Sequence, residues 1–483
     1  LAPKGAFVPH IQASQFNEAA AYIVLDDHRR SNFTPYVLAT GDYGKTWKSL
    51  ATAEIDGYCM VIREDPVDKS LLFLGTEFGL FVSFDGGGKW AKWTQGVPTC
   101  PVYDLAIHPR ENDLIIATHG RALYVIDDIS PLREFSEEVA KKKLHLFPVP
   151  EARQFQQGRM SPLQSPGDTI FAGENKPQGA RITYYLTPTE KKPEEKPETG
   201  GPAPTPQAGT AGQAMFGGSG MRGQERTNVQ ITILDSQGKF VSQLFGPEKK
   251  GINRAYWNFL ETEPPSREGQ PREEQAESRA MMFGRRAMSL QALPGMYTVK
   301  VKYEDQEATG ALEVKPDPRL KIDLEVLKAN YEKGKAAQAL SRAVMQAGRQ
   351  LQQTQRAIQT VKEYARTGKN PKADDITKAA DEIEKKLKEL TEALDPTPLK
   401  QGMADRSQGL NRQVTSAVSG ITGAAIEPVS QAAQTKYDKV RPRAEEFLNR
   451  VNEFYEKDVE NFKRTLQESG FTLFSPVIPI KIE

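Results

Sequence analysis

Thr40-Gly41-Asp42-Tyr43-Gly44-Lys45-Thr46-Trp47 returns as Ser83-Phe84-Asp85-Gly86-Gly87-Gly88-Lys89-Trp90, displaced by 43 residues. The same displacement lays Asp65-Pro66 on His108-Pro109, Leu80-Phe81-Val82 on Leu123-Tyr124-Val125, and Asp85 on Asp128. A period of about 40–45 residues is the length of a four-stranded propeller blade. Short β-rich runs fill each period: Tyr22–Leu25 and Tyr36–Leu38, Leu71–Leu74 and Leu80–Val82, Leu114–Ile116 and Leu123–Ile126. Residues 1–130 are therefore expected to hold three blades or parts of blades.

The octet has a local physical logic. Asp42 and Asp85 can accept backbone N–H bonds in a tight turn, Gly44 and Gly87 supply positive φ, and Trp47 and Trp90 are expected to bury between strands. Together with Thr40 and Ser83 these residues read as hairpin staples rather than as catalytic groups. The octet resembles the Asp box, Ser/Thr-x-Asp-x-Gly-x-Thr-Trp, of the bacterial neuraminidase repeat; the first copy matches throughout, and the second has Lys89 in place of Thr. The segment from Pro101 to Asp128 is similar to the closing blade of bacterial sortilin-like Asp-box propeller proteins. That resemblance implies an exported protein, placed outside the cell or in the periplasm and often labelled glycosyl hydrolase-like. It also implies boxes turned away from the ligand face, followed by an immunoglobulin-like domain and a helical C-terminal region. A closed propeller usually needs at least four blades. The remaining blades are accordingly expected from the N-terminal part of a longer precursor or, as the second choice, from another chain.

Beyond the repeats the pattern changes twice. Ala180–Leu186, Val229–Leu234 and Tyr297–Val301 alternate as half-buried antiparallel strands, and Trp257 is read as a core residue of an immunoglobulin-like sandwich spanning 148–316. Residues 188–227 and 262–289 are polar, Pro/Gly-rich or charged, and are expected to be disordered insertions whose Met215-Phe216, Met221 and Met281-Met282-Phe283 could touch a partner. Within 317–483, apolar residues recur at steps of three and four: Leu340 to Val361, Ile376 to Leu394, Leu410 to Ile421, and Val440 to Leu466. A helical bundle follows, with 471–480 as an apolar tail packing back on it. The expected fold class is multidomain, mainly β plus α: terminal blades over 1–147, a β-sandwich, and helices.

Composition narrows the function. The 483 residues carry 64 Lys+Arg against 63 Asp+Glu, a net charge of +1 that offers no field for nucleic acid. No apolar run approaches the roughly 20 residues of a membrane-spanning helix. A charged-then-apolar leader does not precede Leu1, so a targeting segment is expected to have been removed or to lie outside these residues. Cys59 and Cys100 are the two cysteines; a disulfide between adjacent blades is one option and two buried thiols the other. The five histidines show no ligand spacing, so neither a metal nor another cofactor is expected.

In a four-stranded blade the turns between the second and third strands share one face with the links to the next blade. That rule places Glu77, Phe78, His119 and Arg121 on a ligand-facing rim, with Asp56, Tyr58 and Thr99 beside them. His119 and Arg121 could bind a carboxylate or sugar hydroxyl, or could equally hydrogen-bond neighbouring loop carbonyls. A glycosidase needs two carboxylates flanking the scissile bond. Spacing pairs none of Asp26, Asp27, Asp56, Glu77 and Asp104 in that way. The leading expectation is a non-catalytic recognition or scaffolding protein taking polypeptide or glycan on the propeller face. The alternatives are a glycoside hydrolase whose carboxylates lie in absent blades, and a self-assembling structural protein that forms homo-oligomers.

Overall fold

The computed structural model describes residues 2–155, 176–189, 228–262, 264, 290–367, 372–396, 409–424 and 426–468. Most of both polar insertions, their Met/Phe pieces, and the apolar tail at 471–480 lie outside the described residues.

The 43-residue repeat folds into three antiparallel meanders. The first comprises β1 (Phe7–Ala13), β2 (Ala21–Asp27), β3 (Asn32–Thr40) and β4 (Lys48–Ser49), hydrogen-bonded in that order. The second comprises β5 (Cys59–Glu64), β6 (Leu72–Thr76), β7 (Gly79–Ser83) and β8 (Ala91–Lys92), again in sequence order. The third has β9 (Val102–Ile107), β10 (Leu114–Thr118) and β11 (Leu123–Ile126). β5 lies against β1 on one side and β9 on the other, and the three sheets curl into a half-barrel.

The middle sheet explains the stacking. Its strands are buried almost throughout because successive side chains enter two different cores. Leu72, Leu74 and Phe81 pack with Val24 and Val37 of the first sheet. Phe73, Leu80 and Val82 pack with Val102, Leu105, Leu114 and Ile116 of the third. Gly75 lets the second and third sheets approach: a Cβ there would lie 2.6 Å from Val61 Cγ1 and 2.7 Å from Val102 Cγ1.

Each octet closes the hairpin between the third and fourth strands of its sheet. Thr40 Oγ1 donates to Asp42 Oδ1 at 2.8 Å and accepts from the Gly44 N–H at 3.0 Å, while Asp42 accepts from the Thr46 N–H at 2.9 Å. Ser83, Asp85, Gly87 and Lys89 repeat this arrangement at 2.8, 2.9 and 2.9 Å. Gly44 and Gly87 have φ of 79° and 91°, as the turn requires. The third position of the repeat is put to another use. Asp128 accepts from the Ser130 hydroxyl at 2.6 Å, pairs with Arg181 Nη2 at 2.7 Å, and offers its carbonyl to Arg254 Nη2 at 2.7 Å. It thereby ties the repeats to the sheets that follow.

After β11 come α1 (Ser130–Glu134), which sends Leu132 into the core of the second and third sheets, and α2 (Glu137–Lys141). Next are β12 (Leu144–Leu146), β13 (Ala152–Gln154), β14 (Ala180–Leu186), β15 (Val229–Asp235), β16 (Phe240–Phe245), β17 (Gly251–Trp257), β18 (Gly295–Tyr303) and β19 (Gln306–Pro316). They form a three-stranded sheet, β12-β14-β17, and a five-stranded sheet, β13-β19-β18-β15-β16, around one core. Trp257 is buried there against Phe259 and Tyr297, its indole N–H donating to the Leu260 carbonyl at 3.0 Å.

The remaining elements are α3 (Leu324–Thr367), α4 (Ala373–Leu394), α5 (Leu410–Thr422), α6 (Gln431–Glu453), a π-helical turn (Phe454–Val459) and α7 (Glu460–Glu468). Their apolar stripes meet in one core that includes Leu351, Leu387, Val414 and Phe447. The π turn buries the adjacent pair Phe454 and Tyr455, followed by Val459, in that core.

Candidate functional site

One end of the half-barrel gathers the turns between second and third strands and the links between sheets. Gly57, with φ of 77°, brings the β4–β5 link against the β6–β7 turn; a Cβ there would lie 2.9 Å from both Glu77 Cβ and Phe78 Cδ2. The Glu77 N–H donates to the Tyr58 carbonyl at 3.1 Å, and the Phe78 N–H to Thr76 Oγ1 at 3.1 Å. Phe78 is left exposed at the rim.

Tyr58 is the hub of this end. Its ring stacks on His28 at 4.5 Å and 20°, and Phe33 leans on it at 6.4 Å. Burial raises the Tyr58 pKa, and the charges of Glu77, Tyr103 and Asp26 raise it further, so the phenol remains a hydrogen-bond donor at neutral pH. His28 is held from below by Asp26, whose carboxylate lies 2.7 Å from Nδ1 and accepts the His28 N–H at 2.9 Å. Asp27 is clamped by Arg30 Nε at 2.6 Å and Asn32 Nδ2 at 3.0 Å; its pKa is lowered, chiefly by the Arg30 hydrogen bond. On the third sheet, Tyr103 stacks on His119 at 5.3 Å, and the His119 N–H donates to the Pro101 carbonyl at 2.9 Å. Phe33, Phe78 and Tyr103 present their rings to solvent.

Glu77 and Phe78 therefore lie beside Tyr58, and His119 beside Tyr103. Arg121 sits exposed beyond Gly120, whose φ is 79°, and joins none of the described contacts around Tyr58. His28, Phe33 and Tyr103 were not among the residues singled out from sequence. The signal for His28 was present, since it falls in the turn between the second and third strands of the first sheet. The strands β2 and β3 run further before they turn than their equivalents do, so the 43-residue displacement does not align that turn with Glu77 or His119.

Several other acids of the repeats have structural partners. Glu64 accepts from Ser14 Oγ at 3.0 Å, the Gln15 N–H at 2.9 Å and the Tyr22 hydroxyl at 3.0 Å. Asp65 receives a two-pronged bond from Arg133 at 2.9 and 3.0 Å. Asp42 and Asp85 serve their turns. Cys59 and Cys100 are both buried and unbonded, and burial pushes the Cys59 thiol up to about 12, which removes it as a nucleophile at neutral pH. Groups of three or more His, Cys, Asp or Glu able to hold a metal are absent among the described residues.

No family model matches the chain, and no curated protein matches it. Among solved structures it is similar to an ancestral GH74 enzyme, at 19% identity and a TM-score of 0.21, over 24% of this chain and 14% of that one. It is also similar to YCF48 bound to D1 peptide, at 16% identity and a TM-score of 0.20, over 26% of this chain and 38% of that one. The chain thus spans well under half the length of either protein.

Proposed function

We propose that the chain is a non-catalytic recognition module that binds an extended polypeptide or glycan across the rim of its blade-like sheets. The observation that carries this reading is the aromatic row at one end of the half-barrel, His28 on Tyr58 and Tyr103 on His119, with Phe33 and Phe78 exposed beside it. Flat rings offer contact area at low entropic cost, and Glu77 and the Tyr58 phenol add polar contacts that orient a ligand. Against hydrolysis stands the use of the neighbouring acids: Asp26, Asp27, Glu64 and Asp65 are held by partners within the fold. The immunoglobulin-like assignment of the two-sheet unit and a setting outside the cell or in the periplasm belong to the same proposal. They are supported by strand patterning and by the resemblance of the octets.

Calorimetric titration with two probe panels, neutral oligosaccharides and extended peptides, tests the reading and separates its two ligand classes. Phe33→Ala and Tyr103→Ala should each weaken binding at least tenfold with the melting temperature unchanged. Equal binding by the variants and the parent, or release of cleaved probe, would overturn it.

A further inference from the structure

Two of the three meanders finish on a fourth strand, and the third does not. In the first sheet β4 lies along the outer edge of β3, with Ala39 opposite Lys48 and Leu38 opposite Ser49, and the Leu50 N–H donates to the Val37 carbonyl at 2.9 Å. In the second, β8 lies along β7, with Val82 opposite Ala91 and Phe81 opposite Lys92, and the Trp93 N–H donates to the Leu80 carbonyl at 2.8 Å. The third sheet ends on β11, whose Leu123, Tyr124 and Val125 are the equivalents by the 43-residue displacement. Past Asp128 the chain turns into α1 and α2 instead. Ser136, which stands where Leu50 and Trp93 do, caps α2 by accepting the Val139 N–H at 3.3 Å. Among the described residues no strand pairs with the outer edge of β11, so the Leu123 carbonyl and both backbone groups of Val125 face outward without a strand partner.

The three outer edges also differ in chemistry. β4 and β8 are two residues long and each carries an exposed lysine, Lys48 and Lys92, and short charged strands discourage further pairing. β11 reads Leu123-Tyr124-Val125-Ile126, uncharged and made of strand-forming residues. Leu123 and Val125 are 66% and 55% exposed, while Tyr124 and Ile126 pack towards the second sheet.

We infer that β11 takes an extended segment of a partner polypeptide as its fourth strand, antiparallel, as β3 takes β4 and β7 takes β8. Backbone groups on one side of a strand recur about every 7 Å, a spacing that another extended chain matches group for group. Side chains directly opposite each other share a face, so the segment carries apolar residues opposite Leu123 and Val125. Running antiparallel, it leaves past Leu123 towards Arg121, which is exposed and makes no hydrogen bond or ion pair among the described residues. That end of the segment is therefore acidic. The inference concerns the edge of the third sheet and stands whatever the aromatic rim binds.

The probe is a synthetic peptide of alternating valine and threonine closed by glutamate, titrated into the full chain with hydrogen exchange read at the Val125 amide. Exchange there should be fast in the free chain and slow by about tenfold or more with peptide bound. A backbone-methylated peptide with the same side chains should not bind, a control that leaves the protein untouched. Val125→Pro removes the outward N–H at an edge position where proline is tolerated, and should abolish binding with an unchanged near-ultraviolet circular dichroism spectrum. Arg121→Glu should weaken binding by about fivefold or more. Absence of binding, or equal binding of the methylated peptide, would overturn the inference. So would a Val125 amide already protected without peptide, since the edge would then be held by the chain itself or by a second copy, and sedimentation of the free chain tells those two apart. Indifference to Arg121→Glu would overturn the antiparallel placement.

Discussion

The two octets share a hydrogen-bond pattern and differ in what lies beneath them. Around Asp85, the turn rests on the neighbouring sheet: Gly87 and Trp90 are buried against Leu50. Around Asp42, Gly44 is exposed, and Trp47 is half-buried with its indole bonded to its own turn. Sequence alone predicts burial for both tryptophans, and the structure bears this out for Trp90 only. The octet itself encodes the turn, whereas the burial of its tryptophan is a property of the sheet before it. A motif can thus be locally complete and still lack half of its packing.

Truncation at the two tryptophans gives the largest test of that difference. Trp90→Ala removes a buried aromatic and its bond across two sheets, and is expected to cost about 3–5 kcal/mol. Trp47→Ala should cost about 1 kcal/mol or less, as a partly exposed side chain would. Urea unfolding followed by tryptophan fluorescence reads both, and equal losses would mean that Trp47 is packed as Trp90 is. Next in size is Gly75→Ala. The added methyl meets Val61 and Val102 at distances no Cβ tolerates, so the second and third sheets must part, at about 1–3 kcal/mol. The corresponding position in the first sheet pairs Val24 with Val37 and accommodates side chains on both strands. Val24→Ala should therefore leave a cavity rather than a clash. If Gly75→Ala were neutral, the close approach of the second and third sheets would be wrong.

The strands and turns of the repeats were legible because a fixed displacement of 43 residues repeats the same alternation and the same Asp-x-Gly turn. The stripes at Ile376–Leu394 and Val440–Val451 were legible for a like reason, since helical spacing puts each of their residues on one buried face. The role of Asp128 was not. Alignment marks it as a third turn aspartate, but its pairing with Arg181 is set by a strand more than 50 residues away, which local pattern cannot show. The rim was half legible: the topological rule for strand turns located Glu77, Phe78 and His119, while the stack of His28 on Tyr58 depends on how two sheets settle against each other. The adjacent buried pair Phe454 and Tyr455 in the π turn likewise escaped a reading based on steps of three and four.

The smallest expected effect lies in the acid limb of stability. Asp42 has a lowered pKa, first because the Thr46 hydroxyl donates to it and then through the Thr46 N–H and the Thr40 hydroxyl. Asp85 is lowered as well: burial pushes its pKa up, and the Lys89 N–H, the Ser83 hydroxyl and the Gly88 N–H together pull it further down. A carboxyl whose folded pKa lies below its unfolded one stabilises the fold above the unfolded value, near 4, and loses that contribution as pH falls through the folded value. Both residues therefore make stability fall on acidification below about pH 4. Asp42→Asn and Asp85→Asn should flatten that limb, measured as urea midpoints between pH 2.5 and 5 with the parent as reference. The two variants differ in a further respect. Asp85 braces a turn that also carries the Gly87 and Trp90 contacts, so Asp85→Asn should lower the midpoint at pH 7 more than Asp42→Asn does. If Asp42→Asn proved the more damaging at neutral pH, the Asp42 turn would have to be carrying packing that the chain on its own does not show.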